Sequence, residues 1–314
     1  MSSPQVSIVL GVFNAGSDLL PALRSILDQP GVDFECICVD DGSTDSTPTL
    51  LDELALSDSR LRIITQPNRG LTQALIRGCS EAKGEFIARQ DSDDLTVGPR
   101  LKLQADKLAG DSSLAFVSCQ TEYIGPRGEP LFVENRPTDK EEATARLRAR
   151  QGGPVHGSVM FRRSSYELAG GYRSQLYYAQ DHDLWYRMAR IGYLTYLPET
   201  LYQYRVSPAS ISGRLHPLKL AFAAIVDELD GARERGLDES EILSRAAGLR
   251  RQPQRPGRSS QTSEAKTNYF IARCLLKQGD AKALHYLRQT LEEEPFNSRA
   301  WASLPKAALL RLFG

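Results

Sequence analysis

Val6-Ser7-Ile8-Val9-Leu10-Gly11-Val12 is an apolar, β-branched run of strand length. A strand buried on both faces of a parallel sheet carries this pattern. Asn14 to Ser17 supplies turn and cap residues, and Leu19, Leu20, Leu23, Ile26 and Leu27 then recur at helical spacing. The alternation repeats, predicting strands over 34–39, 61–65 and 85–88 and helices over 50–56 and 71–82. Strand and helix taking turns over about 90 residues predict an α/β, doubly wound domain with a mostly parallel sheet.

Beyond Pro99 the pattern predicts a helix to 108, a strand over 115–119 and a charged helix over 140–150. A strand over 156–163, a helix over 183–191 and a strand over 193–197 follow, and 217–249 reads as helical throughout. Residues 250–267 almost lack apolar side chains, so a flexible linker is expected there. Residues 269–312 are helical again, and Leu276, Gly279-Asp280, Ala283, Leu284, Leu287, Leu291 and Pro295 weakly resemble one tetratricopeptide helix pair. The expected organisation is an α/β domain over 1–215, a helical extension over 216–249, the linker, and a C-terminal helical pair over 268–314.

The 314 residues leave room for one large domain with an appendage, or for two domains. A net charge of zero argues against a nucleic-acid partner. From Arg205 onward, 18 Lys and Arg face 12 Asp and Glu. That basic portion is either a solvated face or a surface suited to an anionic membrane. Cys36, Cys38, Cys79, Cys119 and Cys274 form no CxxC pair and no zinc spacing, so reduced thiols and a cytoplasmic setting are expected. No run of about 18 apolar residues exists, and Met1 to Gln5 lacks the basic start and apolar core of a signal peptide.

Ligands of open α/β sheets bind beyond the carboxyl ends of the strands, and three polar clusters, Asn14, Asp40-Asp41 and Asp91–Asp94, fall at such ends. Arg89-Gln90-Asp91-Ser92-Asp93-Asp94 follows the fourth strand. Carboxylates this crowded suit a hard divalent cation, Mn²⁺ or Mg²⁺. An acidic loop with an Asp capping the next helix is the alternative. Asp40-Asp41-Gly42-Ser43-Thr44 closes the second strand, where an acid can accept from a nucleobase imide or a ribose hydroxyl, or shape an Asp-Gly turn. Asn68-Arg69-Gly70 follows the third strand and is either a plain turn or a diphosphate contact through Arg69. Gln180-Asp181-His182-Asp183 opens a helix, and Asp181 there is a cap or a general base. His156, His182, His216 and His285 show no metal spacing.

In this order, SIVLGVFN at 7–14, VDDGSTD at 39–45, NRG at 68–70, RQDSDD at 89–94 and PRLKLQ at 99–104 resemble the family 2 glycosyltransferases of the GT-A fold. HGSVMFRR at 156–163, GGY at 170–172, QDHDLW at 180–185 and LYQYR at 201–205 extend the likeness over two thirds of the chain. The resemblance implies a nucleotide-sugar donor, with a UDP-sugar first and a dTDP-sugar second, and a saccharide or lipid-linked acceptor. By the same resemblance Phe13 lies against the nucleobase and Asp41, with Asp40 beside it, accepts from the imide. Asp91 and Asp93 match the DxD motif that holds a metal against the diphosphate, and Asp181 matches the base of an inverting transfer.

The chain has Gln180 where the family usually has Glu, which leaves the base with a neutral neighbour. It also lacks the QxxRW motif of processive synthases. The C-terminal helices are expected to serve a homodimer or a peripheral contact at the inner face of a membrane. A catalytically inactive GT-A-like binding module and a nucleotidyltransferase are the competing expectations. The second would show a Gly-rich basic loop after the first strand, where no Lys or Arg occurs before Arg24.

Overall fold

The computed structural model describes residues 3–207, 217–250 and 259–313. The chain divides into two compact units, one of Met1–Thr121, Asn135–Gln203 and Leu220–Gln252, the other of Glu122–Glu134, Tyr204–Lys219 and Pro253–Gly314.

The first unit begins with β1 (Val6–Val12), α1 (Leu19–Leu27), β2 (Phe34–Asp40), α2 (Thr47–Ser57), β3 (Leu61–Thr65), α3 (Leu71–Ser80) and β4 (Phe86–Arg89). β1 pairs in parallel with both β2 and β4, and β2 with β3. Ile8, Val9, Leu10, Ile37 and Val39 are fully buried because helices cover both faces of the sheet. Gly78 of α3 belongs to that packing, since a Cβ there would stand 2.5 Å from Val9.

β5 (Leu95–Thr96), α4 (Arg100–Gly110), β6 (Leu114–Ile124), β7 (Pro130–Glu134), α5 (Lys140–Arg148), β8 (Met160–Arg162), α6 (Arg163–Leu168), α7 (Gln180–Met188) and β9 (Tyr193–Arg205) come next. The sheet runs β3-β2-β1-β4-β8-β6-β9-β5. β8 joins β4 and β6, and β5 joins β9, in antiparallel fashion, so a parallel half from β3 to β4 meets antiparallel pairs beyond it. The region 217–249 that reads as helical holds two helices, α8 (Pro217–Glu234) and α9 (Ser240–Arg250), with Gly236 at φ 66° between them.

The second unit holds α10 (Ser259–Gln278), α11 (Ala283–Glu293) and α12 (Ser298–Phe313). Part of the expected linker, 251–258, lies outside the described residues, and 259–267 form the first turns of α10. Ile271, Leu275, Tyr286, Leu287 and Ala307 pack with Leu131 into a core of their own. Tyr286 donates to Glu129 Oε1 at 2.8 Å and Gln278 Nε2 donates to the Leu131 carbonyl at 2.6 Å. Three helices and a β-turn segment therefore make this unit, where a helix pair was expected.

Candidate active site

Parallel pairing puts the carboxyl ends of β1, β2 and β4 on one edge of the sheet. The loops after β1 and β2 are stitched together there. Asn14, held at φ 48°, donates its N–H to Ser43 Oγ at 2.9 Å, and Thr44 donates its N–H to Asn14 Oδ1 at 2.8 Å. Phe13 stands at this rim 49% exposed.

Both acids at the end of β2 are buried. Asp40 accepts from the Ser43 N–H at 3.0 Å. Asp41, 3% exposed, accepts from Gln66 Nε2 at 2.7 Å and from the N–H groups of Arg69 and Gly70 at 2.9 and 2.7 Å. Its carboxylate thus holds the loop that carries Arg69, whose own side chain is exposed. Gly42 completes the join: at φ 79°, a Cβ would stand 2.8 Å from the Asn68 nitrogen.

The acids after β4 are set differently. Arg89 is fully buried and donates from Nη2 to Asp91 Oδ1 at 2.5 Å, while Asp91 keeps 24% exposure. Arg89 Nη1 donates to the carbonyls of Val9 and Gln90 at 2.6 and 2.8 Å, and Nε donates to His156 Nε2 at 3.3 Å. Asp93 is half-buried in the same loop. Asp94 is buried, accepting from the Tyr202 hydroxyl at 2.8 Å, and that hydroxyl accepts from the Asp91 N–H at 3.3 Å. Arg100, also fully buried, donates to the Gly157 and Arg89 carbonyls and to Gln90 Oε1 at 2.9 to 3.1 Å. Among the described residues no cluster of three metal-binding side chains occurs. Two hard carboxylates fit a cation that completes its shell with phosphate oxygens and water.

Asp181 lies in the first turn of α7, which opens at Ala179 in the left-handed region, φ 55°, a conformation uncommon for a residue with a Cβ. Two residues on, Asp183 is fully buried and paired with Arg187 at 2.7 Å, which anchors that turn. Asp181 is half-buried and accepts from the His182 N–H at 2.9 Å. Burial raises its pKa, but His182, His156 and backbone N–H groups together bring it below the ordinary carboxylate value. It is therefore ionised at neutral pH and able to accept a proton. His156 is held neutral, its pKa lowered to about 4 by burial first and by Arg89 second, with Asp181 and Asp91 opposing. One imidazole thus feels both the acid after β4 and the acid of α7.

The pattern of residues had not singled out Arg89, Arg100, His156 or Tyr202. The one available signal was a pair of arginines, Arg89 and Arg100, flanking the acidic run directly after apolar strand residues.

Residues 7–168 match the glycosyl transferase family 2 over about half of the chain. The chain belongs to that family. EpsE of Bacillus subtilis is 33% identical over 217 residues, which are 65% of this chain and 74% of EpsE. The chondroitin synthase of Pasteurella multocida is 30% identical over 202 residues, 63% of this chain and only 20% of that protein. Among solved structures, Staphylococcus aureus TarS 1-349 in complex with UDP-GlcNAc superposes with a TM-score of 0.60 at 15% identity, over 92% of this chain and 89% of that one. The mannosyltransferase PcManGT of Pyrobaculum calidifontis, in complex with GDP-Man and Mn²⁺, gives 0.55 at 20% identity, over 99% and 88%. These likenesses identify the GT-A fold with a helical C-terminal region. Membership of a glycosyltransferase family sets aside the nucleotidyltransferase alternative.

Proposed function

We propose that this glycosyltransferase carries out an inverting transfer from a nucleotide-sugar donor, a UDP-sugar first, to a hydroxyl of a saccharide or lipid-linked acceptor. The observation that carries this proposal is the placement of two separate acids: Asp91, gripped by buried Arg89 at 2.5 Å beside His156, and Asp181 in the first turn of α7. Two acids in separate surroundings suit two separate duties. UDP-GlcNAc in one structural neighbour, and GDP-Man with Mn²⁺ in another, support a nucleotide-sugar donor and a divalent metal.

Asp181 takes the proton of the acceptor hydroxyl as that oxygen bonds to the anomeric carbon, and the nucleoside diphosphate leaves from the opposite face with the bond's electrons. Its low proton affinity rises once an anionic diphosphate is nearby, which favours the transfer. Asp91 and Asp93 would hold Mn²⁺ or Mg²⁺, which supplies charge to neutralise the departing diphosphate. Phe13 offers its exposed ring to the nucleobase. Asp41, with three donors already accepted, acts mainly through the loop it holds, leaving one acceptor position on Oδ2 for an imide N–H. Arg69 on that loop serves the diphosphate, and Asp40 steadies the neighbouring turn.

Among the described residues no helix is long and apolar enough to cross a membrane. The five free thiols, four of them buried, suit a cytoplasmic setting. Trp301, Leu309 and Leu312 are exposed on α12 beside Lys306 and Arg311, which suits a peripheral contact or a second copy. The test is hydrolysis or transfer from a panel of nucleotide sugars with Mn²⁺, then with EDTA. Turnover that EDTA removes and Mn²⁺ restores is expected. Absence of metal-dependent turnover with every donor would leave the inactive binding module as the better account.

A further inference from the structure

We propose that His156 is a positioning residue for the metal-binding carboxylate Asp91, acting through Arg89 and through the turn it shares with Gly157. The proposal rests on Asp91 holding a divalent cation.

A guanidinium has five N–H groups in a rigid plane. In Arg89 two are committed to the carbonyls of Val9 and Gln90, one grips Asp91 Oδ1, and Nε–H points at His156 Nε2. The His156 contact at Nε sits beside the Nη2 grip on Asp91 in the same rigid plane. The imidazole is itself fixed, with the Tyr172 hydroxyl 2.7 Å from Nε2 and the Trp185 ring edge-on at 6.0 Å between centroids. Nε2 faces both the Arg89 Nε–H and the Tyr172 hydroxyl, so its one lone pair is taken up and it is not available as a metal ligand.

The same turn fixes Asp91 from its backbone side. A Cβ on Gly157 would stand 1.8 Å from the Tyr202 hydroxyl, so the bare glycine is what admits that hydroxyl. There it accepts from the Asp91 N–H and donates to Asp94. The Gly157 carbonyl, in turn, takes Arg100. Side chain and backbone of Asp91 are therefore both set by residues 156 and 157, through two different intermediaries. Partners one step removed from a metal ligand commonly change metal affinity by about 10- to 100-fold when lost.

The test measures Mn²⁺ binding directly, by titration of free Mn²⁺ with electron paramagnetic resonance in the presence of UDP. His156→Asn and His156→Gln carry the same amide at different reach, and only the glutamine reaches the position of Nε2. His156→Asn is expected to weaken Mn²⁺ by about 10-fold or more, with His156→Gln within roughly 3-fold of wild type. Equal affinities for wild type and His156→Asn, or a glutamine variant as weak as the asparagine one, would overturn the proposal. Wild type that binds no Mn²⁺ would overturn the metal assignment itself, which is a different result. Should His156→Asn fail to fold, Arg89→Lys keeps the buried charge but not the fork, and wild-type Mn²⁺ affinity in that variant would equally overturn it.

Discussion

Two strand ends in this protein carry paired acids, and they use them in opposite ways. After β2, Asp40 and Asp41 are buried, and backbone or amide N–H groups take up their oxygens. After β4, Asp91 and Asp93 keep partial exposure, and a buried arginine balances the first of them. Adjacent carboxylates at a strand end are therefore one sequence signature with two physical outcomes. Where N–H donors converge, the acid shapes a loop. Where a cation sits beneath it, the acid presents an oxygen outward.

The sharpest way to break this comparison is to remove each charge without changing shape. Asp91→Asn and Asp93→Asn should each lower metal-stimulated turnover by roughly 100- to 1,000-fold, with melting temperatures close to wild type, as steady-state assays and thermal melts will read. Asp41→Asn should do the reverse, costing about 2 to 4 kcal/mol of stability in urea titrations because an amide N–H₂ then faces N–H donors. A stable Asp41→Asn with full donor affinity would erase the distinction between the loops.

Acid titration probes the boundary between the two regions. His156 stays neutral in the fold down to about 4, against an ordinary 6.5. Between those values the unfolded chain gains a proton that the native ring refuses, so stability should fall as pH drops through that window. His156→Gln should flatten this part of the profile. The smallest effect is expected at Phe13, whose exposed ring makes Phe13→Ala a change in donor KM of about 3- to 10-fold, near 1 kcal/mol, with unchanged melting.

Much of the fold was legible because it rests on local pattern. The bounds of β1 and β3 coincide with their apolar runs, and Gly84 marks the break before β4. Elements that depend on distant partners were not. β9 runs on to Arg205, past the polar residues that ended the expected strand at 197, because its edges are paired across the sheet. α7 begins three residues earlier than its apolar spacing suggests, which moves Asp181 from a cap into the first turn.

The site follows the same division. The acids themselves were visible, but their duties were not, since the donors to Asp41 lie 25 to 29 residues away. Arg89 heads the acidic run at the end of β4, where the sequence assigns it no partner. Its Nε–H meets His156, 67 residues on, as the Asp91 N–H meets Tyr202, 111 residues on. No periodicity reports such pairings.

The central claim is that the acid of α7 does the proton transfer while the acids after β4 hold the donor. Asp181→Asn tests it most directly, with donor affinity from calorimetry and the transfer rate from a single-turnover assay on the same sample. UDP-sugar affinity within about 3-fold of wild type, with transfer slowed at least roughly 1,000-fold, is the predicted result. Transfer at the wild-type rate, or a loss explained by donor binding alone, would contradict it.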